Sequence, residues 1–186
     1  MSVARTISFP EGSAIIATGP ELRKHEAWSS AFHAQCKDHR YYEIIEETLD
    51  NDFEYQYLVL RDRPGVIRGI QPFFFLRQNL IEGIPGAFRG MVDSIRRAWP
   101  KFLTSRVLMV GCAAGEGHLG PLNSTDPAWI AQALHQILPA IARAAKASLI
   151  VLKDFSPTYR GLLSLFAEWF CPSPQHANDA APPQLR

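Results

Sequence analysis

The alternation of hydrophobic and polar positions predicts an antiparallel hairpin in the middle of the chain. Phe53 to Leu60 and Val66 to Leu76 are rich in aromatic and β-branched side chains, and Pro64-Gly65 between them is a strong turn-forming pair. Phe73 to Leu76 is apolar on both faces, so we expect it near the centre of a sheet that is covered on both sides. Pro72 has no amide proton to give to the ladder, and we expect a bulge there.

The N-terminal third contains shorter patterns of both kinds. Thr6 to Phe9 and Ala14 to Ala17 are β-like patches on either side of a turn, which predicts an edge hairpin. One helix is expected to begin at Pro20, and a second is expected over Tyr41 to Leu49. Their expected inner faces are Leu22, Trp28, Ala31 and Phe32 in the first helix, and Ile44, Ile45 and Leu49 in the second.

The C-terminal half has the order strand, helix, strand, helix. Val107 to Val110 is a short apolar strand, and Ala128 to Lys146 is an amphipathic helix that Pro139 should kink or split. Ser148 to Leu152 is a second strand, and a further helix is expected after Ser156-Pro157. This order implies a crossover between neighbouring parallel strands. The expected fold class is therefore α/β, with a mixed sheet (antiparallel hairpin plus parallel βαβ) flanked by helices.

A helical pattern with a basic face stands between the hairpin and the glycine-rich region. Ile84 to Trp99 has apolar residues at helical spacing. Its basic face could attract the phosphates of a cofactor or an acidic partner, although such faces usually serve solubility alone. The basic residues are Arg89, Arg96, Arg97, Lys101 and Arg106.

Composition places the chain among soluble globular proteins. It has 186 residues, of which 47% are hydrophobic and 20% charged, which suits one domain. No apolar run approaches the roughly 18 residues of a membrane span, and the N-terminus lacks a secretory signal, so we expect a cytoplasmic protein. A net charge of +1 offers no general attraction to nucleic acid. Residues 1–170 are expected to form the domain, followed by a disordered proline-rich tail over residues 171–186.

The three cysteines show neither metal-ligand spacing nor a disulfide framework. Cys36, Cys112 and Cys171 are scattered and odd in number. We expect reduced structural thiols and no metal site.

The most informative stretch is glycine-rich and runs from Arg106 to Leu122. An apolar strand that ends in several glycines can turn tightly and present its backbone amides to an anion. The same pattern also occurs where a strand and a helix merely pack closely. The sequence leaves both interpretations open.

Three segments carry a resemblance to a known family. They are Gln71-Pro-Phe-Phe-Phe-Leu, the glycine-rich segment Val107-Leu-Met-Val-Gly-Cys-Ala-Ala-Gly-Glu-Gly-His-Leu-Gly, and Val151-Leu-Lys-Asp-Phe. With the predicted order of elements, they resemble the GNAT superfamily of N-acyltransferases, and most closely its bacterial Fem-like members. The resemblance implies transfer of an acyl group from acetyl-coenzyme A, or another acyl-coenzyme A, to the amine of a small molecule or peptide.

The same resemblance implies roles for residues of the glycine-rich stretch. In that superfamily the pyrophosphate of the donor lies on backbone amides between the fourth strand and the next helix. Glu116 or His118 could then take the proton of the amine, directly or through water, and Asp154 at a strand end is a further candidate. This chain departs from the usual loop in having Cys112 where Gln or Arg is common, and Pro121 delays the helix. The glycines that would bind the donor are Gly111, Gly115, Gly117 and Gly120.

Two further functions remain open. Fem-like proteins are built from two GNAT-like halves and this chain has the length of one, so it resembles an N-terminal half. A noncatalytic half that packs against a second half, or against another copy of itself, would expose a large apolar patch. The glycine-rich stretch also resembles the loop of S-adenosylmethionine-dependent methyltransferases. These need an acidic residue after a second strand about 20 residues onward, and Asp154 comes too late for that.

Overall fold

The computed structural model describes residues 6–32, 37–48, 53–79, 104–123 and 126–169 of the chain. The helix predicted over Ile84 to Trp99 lies outside these ranges, and so does the predicted tail over residues 171–186. Cys36 and Cys171 also lie outside them.

Six strands form one sheet in which spatial order follows chain order. Every neighbouring pair is antiparallel except the last, which is parallel and joined by the long helix. The predicted mixed α/β sheet, with its antiparallel hairpin and parallel crossover, is therefore confirmed. The strands are β1 (Thr6–Phe9), β2 (Gly12–Ala17), β3 (Phe53–Asp62), β4 (Ile67–Asn79), β5 (Thr104–Val110) and β6 (Leu149–Leu152).

Helices cover both faces of the sheet. The single helix expected from Pro20 is two short ones, because His25 between them has an extended backbone. The first is fixed at its start by the Thr18 amide, which donates to the Glu21 carboxylate at 2.9 Å. The helices are α1 (Gly19–Leu22), α2 (Glu26–Ala31), α3 (His39–Thr48), α4 (Pro127–Ala145) and α5 (Arg160–Leu163), with 3-10 turns at Pro157–Tyr159 and Ser164–Trp169.

The expected bulge at Pro72 is wrong. Pro72 pairs in register with Tyr57, and the irregularity of the β3–β4 ladder lies between Leu60 and Arg61. The Pro72 carbonyl accepts a hydrogen bond from Gly111 at 3.1 Å, at the end of the β4–β5 ladder. The amide nitrogen and the carbonyl oxygen of a strand residue point to the same side. The nitrogen of Pro72, which carries no proton, therefore points toward β5 at the end of the β4–β5 ladder, and the pairing of β4 with β3 loses no hydrogen bond.

Two cores lie on opposite faces of the sheet. On one face, side chains such as Leu58, Phe73 and Leu108 pack against α4. On the other, Tyr57 and Phe74 pack against α1, α2 and α3. The successive phenylalanines Phe73, Phe74 and Phe75 are all buried, as predicted for a central strand. The sheet is therefore covered on both faces.

The inner face expected for α3 is wrong in part. Ile44 is 58% exposed, whereas Tyr42 is fully buried. The Tyr42 ring lies 4.7 Å from that of Phe32, and Ile45 is half-buried beside this cluster. The aromatic packing of Tyr42 rotates α3 so that Ile44 faces outward.

A buried ion pair holds the start of α4 on β4. Asp126 precedes the helix, is fully buried, and accepts a hydrogen bond from the guanidinium of Arg68. Asn123 donates to the other carboxylate oxygen at 3.3 Å, and Asp62 lies 3.7 Å from the same guanidinium. The helix then continues without a break through Pro139, which was expected to kink or split it.

We expect Asp126→Asn to lower the free energy of unfolding by about 2 kcal/mol, because Arg68 is then left half-buried without its closest carboxylate. The measurement is urea denaturation. Glu54→Gln is the matched control, since Glu54 pairs with Arg106 at the surface and its loss should cost less than about 1 kcal/mol. Equal losses in the two variants would contradict an anchoring role for Asp126.

Candidate functional site

The glycine-rich stretch leaves the sheet and returns to almost the same point. The amide of Gly117 donates to the Asp154 carbonyl at 3.0 Å, and Gly117 forms a parallel bridge with Phe155. A Cβ on Gly117 would lie 2.4 Å from the Lys153 carbonyl oxygen, and one on Gly111 would lie 3.0 Å from the same atom. The close contact excludes a side chain at Gly117, and the φ of 118° disfavours one at Gly111. Residues 112–116 between the two glycines leave the sheet and return to it, and we call them the glycine turn.

The segment after the turn lies along β4. The Ile70 amide donates to the Gly120 carbonyl at 2.9 Å, and a Cβ on Gly120 would lie 2.0 Å from the Ile70 carbonyl oxygen. The fully buried Gln71 donates from Nε2 to the His118 carbonyl at 3.2 Å and accepts from the Gly120 amide at 3.3 Å. Gln71 thus satisfies two backbone groups of a buried loop, and it fixes where His118 stands.

The carbonyls of the glycine turn face α3. The Ala114 carbonyl accepts from Tyr41 Oη at 3.1 Å, from Lys37 Nζ at 3.2 Å and from Cys112 Sγ at 3.1 Å. Lys37 also donates to the Glu116 carbonyl at 3.0 Å. Cys112 is fully buried and free, so the prediction of a reduced structural thiol is confirmed for this residue.

Three amides at the tip of the turn have no acceptor among the residues that the structure describes. The Ala113 amide donates to Tyr55 Oη at 3.0 Å. By contrast, none of the hydrogen bonds among the described residues uses the amides of Ala114, Gly115 or Glu116. Gly115 and Glu116 are exposed, and Gly115 has a φ of 77° that favours glycine. Three consecutive amides are therefore free to bind an acceptor from solution.

A positive charge lies on the carbonyl side of the glycine turn. The ammonium of Lys37 is 2.6 Å from the position that a Cβ on Gly115 would take, and it lies 5.4 Å from the centroid of the Tyr41 ring. Within the described ranges, Lys37 meets no carboxylate. Because Lys37 is bonded to the Ala114 carbonyl, and the Gly115 amide of the same trans peptide points the opposite way, the cation and that amide lie on opposite sides of the turn. Free backbone amides suit an anion such as a phosphate, and the ammonium adds an attractive charge nearby.

His118 can act as a base at neutral pH. Burial lowers its pKa below the ordinary histidine value, nearby Glu116 opposes this, and the charge of Lys37 lowers it further. The ring meets Tyr159 edge to face at 6.4 Å, and the pKa of Tyr159 is raised mainly by burial. His118 is thus neutral and partly accessible, whereas Glu116 is an exposed carboxylate that acts on it through its charge.

Asp154 lies next to the turn through its backbone. Its φ is 52°, its carbonyl accepts from Gly117, and its exposed carboxylate pairs with Lys153. An acid after β6 and beside a glycine loop is the feature that the methyltransferase interpretation requires. That interpretation also needs a doubly wound parallel sheet, and β5–β6 is the single parallel pair among the described strands.

The four predicted donor-binding glycines have different structural roles. The amides of Gly111, Gly117 and Gly120 are all committed to hydrogen bonds within the protein, and only the Gly115 amide is free. No pattern in the sequence indicates the three residues that support the turn. They are Lys37 in the loop before α3, Tyr41 in α3 and Gln71 in β4. The ligands and catalytic roles assigned to Gly111, Gly115, Gly117, Gly120, Glu116 and His118 stay predictions.

Other features of the described residues define the surroundings of the site. No three His, Cys, Asp or Glu side chains in these ranges come together as metal ligands would. Among the helices that the structure describes, none has the length and apolarity that a membrane crossing requires. The most exposed large hydrophobic residues belong to α3, to the β3–β4 turn and to β6, which are separate elements: Ile44, Val66 and Leu149.

Comparison with known proteins adds one likeness. No protein-family model matches this chain, and no curated protein matches it in sequence. The crystal structure of a ribosomal-protein-alanine N-acetyltransferase from Brucella melitensis biovar Abortus 2308 is similar over 93% of this chain and 97% of its own, with 15% sequence identity and a TM-score of 0.49. A likeness of this size does not establish a shared fold, so function has to be inferred from the residues of this chain.

We expect Gly117→Ala to lower the free energy of unfolding by about 1 to 3 kcal/mol, because its Cβ would displace the Lys153 carbonyl. Gly161→Ala is the control, since a Cβ at Gly161 in α5 meets no atom within 4 Å and alanine favours the helix by about 0.5 to 1 kcal/mol. Thermal denaturation measures both. An unchanged stability of Gly117→Ala would show that the strands do not approach there.

Proposed function

We propose that this chain is an N-acyltransferase domain that takes an acyl group from an acyl-coenzyme A and passes it to an amine. The observation that carries the proposal is that the amides of Ala114 to Glu116 have no acceptor among the described residues, while the ammonium of Lys37 lies on the carbonyl side of the same turn. The three amides follow β5, which pairs with β4 in antiparallel and with β6 in parallel orientation. The amides suit the phosphate oxygens of the donor, and the ammonium adds an attractive charge from the other side of the turn.

The free amides of the glycine turn suit the acyl-coenzyme A donor, but the ends of β5 and β6 leave no room for the donor between them. The Lys153 amide donates to the Val110 carbonyl at 2.9 Å, and Gly117 lies directly beyond, against Asp154 and Phe155. The described ends of β5 and β6 therefore leave no slot between them. A donor held by the turn would have its chain along the outer surface of this region.

The chemistry of the transfer needs an amine without its extra proton. The acyl-coenzyme A supplies a thioester carbonyl for the amine to attack. The C–N bond forms, the C–S bond breaks, and coenzyme A leaves as a thiolate that takes a proton from the imidazolium or from water. Neutral His118 would take the proton released by the amine, and Gln71 holds the backbone of His118 in place. Glu116, which is exposed on the same turn, would favour the protonated imidazolium that forms.

A noncatalytic half-domain is the second candidate, and one observation favours it. Gly117 occupies the space between the ends of β5 and β6, so the chain of an acyl-coenzyme A cannot enter between these strands. In that case the turn shapes a surface for a second GNAT-like half or a second copy, and coenzyme A binds elsewhere. This candidate predicts a folded chain that binds no acyl-coenzyme A.

We expect Lys37→Met to weaken acetyl-coenzyme A binding about tenfold, because the positive charge that attracts the pyrophosphate to the turn is lost. Calorimetric titration measures this, with Lys24→Met as control, since Lys24 is exposed on the α1–α2 turn. Lys37→Arg should keep most of the affinity.

The wild-type titration distinguishes the candidates. Saturable binding that Lys37→Met weakens supports the acyltransferase. A folded wild type without binding supports the half-domain, and binding of S-adenosylmethionine instead would overturn both.

The rate of acyl transfer should depend on pH through His118. The pKa of His118 is lowered by burial and by Lys37, so its neutral form persists below the ordinary value of about 6.5. We expect kcat/KM for acetyl transfer to fall only as the pH drops through that lowered pKa. His118→Gln should remove this acid limb and reduce kcat about 10² to 10⁴-fold. If Asp154→Asn or Glu116→Gln removes the limb instead, the base is that carboxylate and not His118.

A further inference from the structure

A separate cavity lies at the opposite edge of the sheet from the glycine turn. Its volume is about 310 Å³, and it is bounded by β1, β2 and β3 below and by α1 and His25 above. This size lies at the lower end of the range for small-molecule sites in proteins. The cavity is on the sheet face that carries Val59, opposite the face covered by α4.

The register of the strands explains the chemistry of the cavity floor. Thr6 pairs with Ile15, and Ile15 pairs with Val59, so these three side chains share one face. Ala17 is on the same face two residues along β2. The floor is therefore apolar, and Leu22 of α1 closes one side of it.

Arg61 brings an uncompensated positive charge to this apolar floor. It follows Val59 on the same face of β3, and its Nε atom is buried without a hydrogen-bond partner. Its guanidinium meets no carboxylate in the described part of the chain, whereas those of Arg23, Arg68 and Arg106 each do. The Glu21 carboxylate at the rim accepts the Thr18 amide at the start of α1.

We propose that this cavity binds a small organic acid with a short apolar body. The carboxylate pairs with the guanidinium of Arg61, which presents two parallel donors to such a group. The apolar body lies on Ile15, Ala17 and Val59, where its burial is favourable. The site is distinct from the glycine turn, since it is built on β1 to β3 and the turn follows β5.

The experiment titrates the full ¹⁵N-labelled chain with hexanoate and follows its amide resonances. We expect saturable shifts around Ile15, Ala17 and Val59, with a dissociation constant on the order of 1 mM, a value suited to so small a ligand. Arg61→Gln should weaken binding about tenfold, and Arg61→Lys should retain part of it. Arg160→Gln, on the exposed start of α5, is the control and should bind as the wild type does.

Hexan-1-ol, which has the same apolar chain and no charge, provides a test that needs no variant. Binding of hexanoate about tenfold tighter than that of the alcohol supports the pairing with Arg61. Equal binding of acid and alcohol would overturn it, as would equal hexanoate affinities of wild type and Arg61→Gln. Shifts that do not saturate, or that map to other residues, would overturn the site itself.

Discussion

The approach of Gly111 and Gly117 to the Lys153 carbonyl is the constraint on which the candidate site depends. A Cβ on Gly117 would clash with that carbonyl, and Gly111 has a φ of 118°, which disfavours any side chain, so glycine is favoured at both ends of the turn. The residues between them are thereby forced into a compact turn at the end of the sheet. Because Gly117 then bonds to Asp154, the two parallel strands are joined beyond the last pair of their ladder.

Side chains, most of them from other elements, fix the orientation of the glycine turn. Tyr41, Lys37 and the Cys112 thiol all donate to the Ala114 carbonyl, which holds the turn carbonyls toward α3. In the described part of the chain, the amides of Ala114 to Glu116 have no acceptor. On the other side, Gln71 holds the backbone around His118 and Gly120. The four glycines therefore differ: the amides of three bond within the protein, and that of Gly115 has no acceptor among the described residues.

Local signals in the sequence were sufficient for most of the sheet. The period-two pattern of β3 and β4 and the Pro64-Gly65 turn act between near neighbours, and both strands were placed correctly. The predictions were wrong where tertiary packing determines how a residue is oriented. The ring of Tyr42 packs on Phe32 and turns Ile44 outward, and the missing proton of Pro72 faces the end of a ladder that sequence alone does not locate.

The same distinction applies to the candidate site. The glycines were visible as a pattern, but their division into packing and free positions follows from the fold. Lys37 meets Ala114 across 77 residues, and Gln71 meets His118 across 47, so neither contact has a local signature.

The most direct measurement is the shift of individual backbone amide resonances when acetyl-coenzyme A is added to the ¹⁵N-labelled chain. Binding at the turn predicts the largest shifts at Ala114, Gly115 and Glu116, with smaller shifts at Gly117, whose amide is already bonded to Asp154. Unchanged resonances at Ala114 to Glu116 in the presence of saturating acetyl-coenzyme A would contradict the assignment of the glycine turn as the donor site.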